Sequence, residues 1–310
     1  MIATIRATDR QSPLTSDRCL YVDTGMFQGR CIALASRHGK ERALARPLQA
    51  GLGLTLQLAT AFDTDSLGTF SGERERPADG ATTCRRKAEA AMAELDLDLG
   101  IASEGSFGPH PAVPLLAVGR EWLTLVDGRH GLVVSEQLLH TATNFSQRRV
   151  ADLADLDPWL LQVGFPRHGL IVRPSRPGHD RGPTPALSKG IVSRDALALA
   201  IERALPHASD GQALVETDMR AHLNPTRMAS IRRLAFRLVR RLRSTCPACG
   251  TPGWGLVDTV AGLPCDWCGT PTDLIAHELH GCVACDHQQQ RPRRDGLREA
   301  DPGHCPRCNP

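Results

Sequence analysis

Eight of the eleven cysteines in this 310-residue chain lie in its last 65 residues, where they form four Cys-x-x-Cys pairs. The pairs are Cys246/Cys249, Cys265/Cys268, Cys282/Cys285 and Cys305/Cys308. In chain order they give two C-x₂-C-x₁₅₋₁₉-C-x₂-C patterns, the spacing of tetrathiolate zinc sites. The sequence therefore predicts two structural Zn²⁺ ions. It leaves open whether the cysteines pair within each half or in a crossed arrangement.

A second group of candidates lies where short apolar segments, predicted to be buried strands, end in polar residues. The first such segment, 36–40, ends in Lys40 just before a predicted helix. A helix N-terminus favours negative charge, and a lysine beside it adds a cation for phosphate. The alternative is an ordinary strand-to-helix turn with a solvated lysine.

The second segment, 103–110, is read as a loop that begins with Glu104 among glycines and small residues. A carboxylate at the end of a strand, with room for a ligand beside it, suits a Mg²⁺ ligand or a general base. The alternative is a Gly- and Pro-rich loop in which the glutamate only caps the backbone.

The third segment, 216–227, contains Glu216, Asp218 and Arg220. If the preceding strand continues, both carboxylates point to the same side, and a Mg²⁺ ion between them would offset their repulsion. Arg220 would then contact phosphate. The alternative is a structural network of arginines and carboxylates that holds the loop in place.

Further along, Arg86 and Lys87 belong to a predicted helix over 82–95 and are candidates for phosphate binding, although a solvated basic helix face explains them equally well. The acidic segment 63–80 supplies supporting candidates only, among them Asp63, Asp65 and Glu73.

The composition excludes several classes of function. The net charge is only +3 and aromatic residues make up 4% of the chain, so nucleic-acid binding is not favoured. No apolar stretch is long enough for a transmembrane helix, and the N-terminus lacks the apolar centre of a signal peptide. We therefore expect a cytoplasmic protein whose paired thiols bind metal rather than form disulfides. The oligomeric state is not determined by the sequence.

The predicted organisation has three parts. Residues 1–27 are expected to be a disordered extension, residues 28–243 an α/β domain with a mixed sheet and flanking helices, and residues 244–310 a double zinc-ribbon domain. The segment 173–187 contains four prolines and is predicted to be a long loop. A helix with a basic outer face, from Pro225 to about Leu242, connects the α/β domain to the cysteine-rich tail.

The segments SRHGKE, RRKAEAAM, LGIASEGSFGPHP and VETDMRAHLNPTRM, together with the cysteine pairs, resemble a bacterial family known as a domain of unknown function with a zinc-ribbon tail. The resemblance runs from about residue 28 to 310. It implies a cytosolic bacterial protein and brings no established activity.

Residues 30–135 also resemble the inosine/xanthosine triphosphate pyrophosphatases, through the early lysine turn, RKAEAA and GIASEGS. That resemblance implies the corresponding α/β fold, with Lys40, Arg86 and Lys87 near a triphosphate and Glu104 at the metal. VETDMR has no counterpart in it.

Together these observations support a hypothesis of Mg²⁺-dependent hydrolysis of a nucleotide or another phosphorylated small molecule. Glu104, Glu216 and Asp218 would hold metal and orient water, while Lys40, Arg86, Lys87 and Arg220 would bind phosphate. The alternative is a non-catalytic zinc-ribbon module that binds nucleic acid or a protein partner.

Overall fold

The computed structural model describes residues 25–61, 79–110, 113–178 and 187–310. The supporting acidic candidates Asp63, Asp65 and Glu73 lie outside these ranges. The first sheet is built from β1 (Cys31–Ala35), β2 (Thr55–Ala59), β3 (Leu99–His110), β4 (Val113–Asp127) and β5 (Leu132–His140), in the order β2-β1-β3-β4-β5. Strand β1 runs parallel to β2 and β3, and β4 is antiparallel to β3 and β5. This confirms a mixed sheet.

Alternating residues of the first sheet pack on different helices. Large apolar side chains such as Ile32 and Leu34 pack with α1 (Glu41–Leu52) and α5 (Pro225–Leu242) in the main core. The intervening small residues, including Ala33 and Ala35, pack with α2 (Gly80–Leu95). Because side chains along a strand point alternately to the two faces, this pattern puts helices on both sides of the sheet.

A second, entirely antiparallel sheet was not predicted from the sequence. It contains β6 (Gln147–Val150), β7 (Leu170–Pro174), β8 (Ser188–Ile191) and β9 (Ala213–Thr217), in the order β6-β9-β7-β8. Helices α3 (Asp157–Val163) and α4 (Arg194–Ala204) share a separate core with it. Only β9 was predicted, as the strand that precedes Glu216; the other three strands have four or five residues, two of them mostly polar, and show too little periodicity to be recognised.

Two sequence predictions need correction. The segment 104–110 is not a loop: it continues β3, because β4 pairs with it from Glu104 opposite Trp122 to Pro109 opposite Ala117. The proline-containing segment 173–187 begins later than predicted, since β7 extends to Pro174. Residues 179–186 lie outside the described ranges.

The predicted helix α5 is confirmed from Pro225 to Leu242. The residue before it, Asn224, is its N-cap, and the Asn224 side chain accepts a hydrogen bond from the Arg227 amide. The cysteine-rich tail that follows forms a third sheet of β10 (Gly255–Ala261), β11 (Ile275–Gly281) and β12 (Gln288–Pro292). Within the described ranges, none of the helices is both long and apolar enough to span a bilayer.

Candidate functional sites

The first candidate site lies where β1 ends beside β3. Pairing between these parallel strands stops at Leu34 and Ile101, while β3 continues past that point, paired with β4 on its other side. The chain turns from β1 into α1 at Lys40, whose Nζ donates to the Ser103 carbonyl over 2.7 Å. The end of β1 therefore leaves one edge of β3 free of strand pairing, and Lys40 lies there next to Ser103 and Glu104, as the sequence predicted for the first two polar segments.

Glu104 forms an ion pair with Lys87, which reaches it from α2. Lys87 is 6% exposed and Glu104 is 2% exposed. Burying charged groups costs several kcal/mol each unless a partner of opposite charge is present. The pairing therefore explains how a lysine and a glutamate are accommodated between α2 and the sheet.

A second buried ion pair, between Glu121 of β4 and Arg227 of α5, adjoins the first and was missed in the sequence. Arg227 Nε lies 2.6 Å from Glu121 Oε1, and Nη1 donates to the Met219 carbonyl over 2.6 Å. Arg227 precedes Ile231 by one helical turn and therefore lies on the apolar side of α5. The helical spacing in the sequence could thus have identified Arg227 as a buried residue. We call Lys40, Lys87, Glu104, Glu121 and Arg227 the strand-end cluster.

Charges within the strand-end cluster are strongly coupled. Burial, together with the nearby Arg227 and Lys87, lowers the pKa of Lys40 to about 8, although Glu104 and Glu121 act in the opposite direction. Three cations thus face two carboxylates in a region from which water is largely excluded. Such an arrangement favours binding of an additional anion.

Cys84 of α2 lies close to the same charges. Its side chain is fully buried, and burial raises the pKa of the thiol, with Glu104 adding to the effect. A thiol with a raised pKa is a poor nucleophile at neutral pH. Cys84 is therefore a buried structural residue.

The third polar segment also reaches this site. Asp218 accepts hydrogen bonds from Nε and Nη2 of Arg220, over 3.0 and 2.6 Å.

Two histidines pack against each other beside this pair. The ring of His222 lies edge-on to that of His38, with centroids 5.1 Å apart. Burial, with smaller effects from Lys40, His222, Arg227 and Arg220, lowers the pKa of His38 to about 3. His38 is consequently neutral and lies between the strand-end cluster and Arg220.

Two buried polar atoms at this site, Ser103 Oγ and His38 Nδ1, have no hydrogen-bond partner among the described residues. Most buried polar atoms in proteins are hydrogen-bonded. A ligand bound over the turn 36–40 would offer such partners, and His222 lies beside the same turn, next to Gly39 and His38.

Two predicted site residues fall outside this arrangement. Glu216 lies on β9 of the second sheet, and its Oε2 is 2.8 Å from Nε of Arg173. Asp218 points to Arg220 instead, so the two carboxylates have different cationic partners rather than one shared cation. Arg86 is exposed on α2, whereas its neighbour Lys87 is buried.

The eight cysteines form two tetrads that could each hold a metal ion, and the pairs are interleaved along the chain. One tetrad contains Cys246, Cys249, Cys282 and Cys285, and the other contains Cys265, Cys268, Cys305 and Cys308. The crossed arrangement that the sequence left open is therefore the one adopted. The sulfur atoms in each tetrad lie within 4.8 Å of one another.

Strand pairing explains the interleaving. Strands β10 and β11 pair with Gly255 opposite Gly281, so the cysteines just before β10 meet those just after β11. The second Cys-x-x-Cys pair lies in the connection at the far end of this hairpin. Seven residues of β10 span about 20 Å, which is too far for the first two pairs to share one ion.

The sulfur geometry fits a tetrahedral ion. Cys249 and Cys282 Sγ are 3.6 Å apart, and Cys246 and Cys285 Sγ are 3.8 Å apart. A tetrahedron with metal–sulfur bonds of about 2.3 Å has sulfurs about 3.8 Å apart. A side-chain hydrogen bond between Cys249 and Thr251 lowers the pKa of the Cys249 thiol to about 6, and one between Cys268 and Thr270 has the same effect on Cys268. Both thiols are thus predisposed to bind a metal as thiolates.

Comparison with known proteins identifies one family. The family described as Domain of unknown function (DUF6671) matches residues 87–310, which includes the C-terminal half of α2, the second sheet, α5 and the whole cysteine-rich tail. No curated protein and no solved structure matches the chain. The comparisons thus give no support to the resemblance to inosine triphosphate pyrophosphatases.

Proposed function

This chain belongs to the family described as Domain of unknown function (DUF6671), and we propose that it binds and hydrolyses a phosphorylated small molecule, a nucleotide in the first instance, at the strand-end cluster. The observation that carries this proposal is the burial of three cations with only two carboxylates, next to the turn into α1. Its excess positive charge matches an anionic substrate, and low solvent exposure strengthens each electrostatic contact.

In the proposed complex, phosphate lies over the turn 36–40, at the N-terminus of α1, where the helix dipole favours an anion. Lys40 and Arg220 would neutralise phosphate charge in the transition state. Asp218 acts as a positioning residue, because it holds the Arg220 guanidinium through several hydrogen bonds. Lys87 pairs with Glu104 and would hold this carboxylate in position to orient a water molecule.

Mg²⁺ enters the proposal through the substrate. This ion usually keeps several waters and is bound by one or two carboxylates together with substrate phosphates, so Glu104 alone would suffice as a protein ligand. Glu216 has no part in this version of the hypothesis because it pairs with Arg173. For the cysteine tetrads we propose Zn²⁺ in a structural role, since four thiolates leave no coordination position for substrate.

The test is release of phosphate or pyrophosphate from a panel of nucleoside tri- and diphosphates with Mg²⁺, using metal-loaded full-length protein. Glu104→Gln should lower kcat by about 100-fold or more if Glu104 orients water. The matched control is Glu89→Gln, because Glu89 is an exposed glutamate on α2 that pairs only with Arg85 on the surface. Equal rates in all three proteins would refute hydrolysis at this site.

A binding measurement distinguishes the two parts of the proposal, which are binding of the nucleotide and its hydrolysis. Lys40→Met should weaken nucleotide binding at pH 7, whereas Glu104→Gln should retain it while losing turnover. If neither wild-type protein nor variants bind any nucleotide in the panel, the assignment of an anion site at the strand-end cluster is wrong.

A further inference from the structure

A groove of about 740 Å³ lies between the α/β domain and the cysteine-rich tail. One wall comes from the C-terminal half of α5 with strands β4 and β5, and the other comes from strands β10, β11 and β12. Its volume is within the range of ligand-binding pockets. No residue of the strand-end cluster lines it, so the groove is a separate site.

Arginines dominate the charge of this groove. Five line it: Arg237, Arg240 and Arg241 from α5, and Arg291 and Arg294 from the tail. The carboxylates among the lining residues are Glu136 and Asp258. Positive charge therefore exceeds negative charge, and it comes from both walls.

Internal ion pairs leave two of these arginines without a countercharge. Glu136 is 3.2 Å from Arg241, whose guanidinium also donates to backbone carbonyls and has a structural role. No carboxylate in the described part of the chain pairs with Arg240 or Arg291; Arg291 contacts only the neutral Gln289. These two guanidinium groups remain available to a ligand, one from each wall.

The groove also has an unsatisfied donor and apolar surface. Trp254 lines it with only 4% of its surface exposed, and its indole Nε1 has no partner among the described residues. Trp122, Val257 and Val283 contribute apolar area on both sides. An occupant should therefore combine anionic acceptor groups with flat or apolar portions.

We propose that this groove binds a single strand of nucleic acid, with Arg240 and Arg291 contacting phosphates from opposite walls. All its cationic side chains are arginines, whose planar guanidinium binds phosphate through two parallel hydrogen bonds. A strand presents phosphates along its length and so reaches both walls, whereas the phosphates of a single nucleotide are clustered at one end. Bases would contact the apolar portions, since stacking on aromatic rings tolerates any sequence. This goes beyond hydrolysis at the strand-end cluster and does not depend on it.

Fluorescence anisotropy with labelled single strands of about 16 nucleotides, RNA and DNA in parallel, tests the proposal on metal-loaded full-length protein. The double variant Arg240→Gln/Arg291→Gln should weaken binding about tenfold or more. It should also reduce the slope of log K against log salt by about 1.4, which corresponds to two phosphate contacts. The control is Arg233→Gln/Arg298→Gln, which removes two exposed arginines from α5 and the tail outside the groove and should change affinity less than twofold.

Equal weakening by both double variants would mean diffuse attraction to surface charge and would overturn the proposal. So would competition by polyglutamate or by free ATP as effective as competition by an unlabelled strand, because the occupant would then be an acidic protein or a free nucleotide. Lys40→Met should leave strand binding unchanged. Loss of strand binding in that variant would refute the independence of the two sites.

Discussion

Arg227 and Glu121 form an ion pair in which neither side chain is exposed to solvent. Two contacts join them: Nε to Oε1 at 2.6 Å and Nη2 to Oε2 at 3.3 Å. The pair connects α5 to β4 and adjoins Gly105, which faces Glu121 across the β3–β4 ladder. It thus couples the helix that leads into the cysteine-rich tail to the strands around the candidate anion site.

Removing one partner of this pair should be strongly destabilising. In Glu121→Gln, Arg227 keeps its buried charge without a carboxylate, and we expect a loss of about 3–5 kcal/mol in the free energy of unfolding. Urea denaturation of metal-loaded protein measures it. Arg233→Met, an exposed change on the same helix, is the control and should cost less than about 0.5 kcal/mol. A cost below about 1 kcal/mol for Glu121→Gln would contradict this account.

Gly105 should tolerate no side chain, whereas Gly108 on the same strand should. A Cβ at position 105 would lie 2.7 Å from both Arg227 Nη2 and Glu121 Oε1, while one at position 108 would have no neighbour within 4 Å. We expect Gly105→Ala to destabilise by about 1–3 kcal/mol through overpacking. Gly108→Ala should be neutral or slightly stabilising. The melting temperatures of the two variants test this difference, and similar values for both would refute the predicted crowding at position 105.

The contribution of Lys40 to stability should depend on pH. Its folded-state pKa is about 8, below the ordinary value of 10.5. Between these values the unfolded chain binds the proton and the folded chain does not, so the free energy of unfolding rises with pH in that window. The full gain is at most on the order of 3 kcal/mol.

Lys40→Met should abolish that rise. The difference in unfolding free energy between wild type and the variant should therefore shift in favour of wild type from about pH 7 to pH 10. Lys189→Met, which removes an exposed lysine, is the control. A difference that stays constant across this range would show that the Lys40 pKa is not lowered.

Pairs of cysteine substitutions can establish the interleaved metal sites. Cys246→Ser/Cys285→Ser damages one tetrad, so one metal ion per chain should remain. Cys246→Ser/Cys265→Ser damages both and should leave none. Metal analysis after gel filtration measures the ratio, with Cys31→Ser as a control that retains two ions. If the cysteines paired within each half, the results of the two double variants would be exchanged.

Some features could be predicted because they depend on local sequence. The four Cys-x-x-Cys pairs lie on tight turns, and α5 shows an apolar stripe with a proline at its first position. The apolar segment and the following helical spacing likewise indicated that Lys40 lies where β1 ends and α1 begins. In each case the signal arises from residues only a few positions apart.

Other features depend on contacts between distant parts of the chain. Strand β9 pairs with β7 in a second sheet, and this pairing takes Glu216 to Arg173 instead of to Asp218. The partner of Arg227 lies 106 residues away. A charged residue in an apolar stripe signals burial, yet nothing local identifies its counterion.

The net charge of +3 likewise concealed the arginine-lined groove, since that groove exists only where the tail packs beside α5 and β5. The sequence by itself determined that eight thiols are arranged for two metal ions and that polar residues end the apolar segments. Tertiary structure alone decided which thiols share an ion and which charges become neighbours. The reason is physical: cysteine spacing sets ligand geometry within one turn, whereas strand register sets which turns meet.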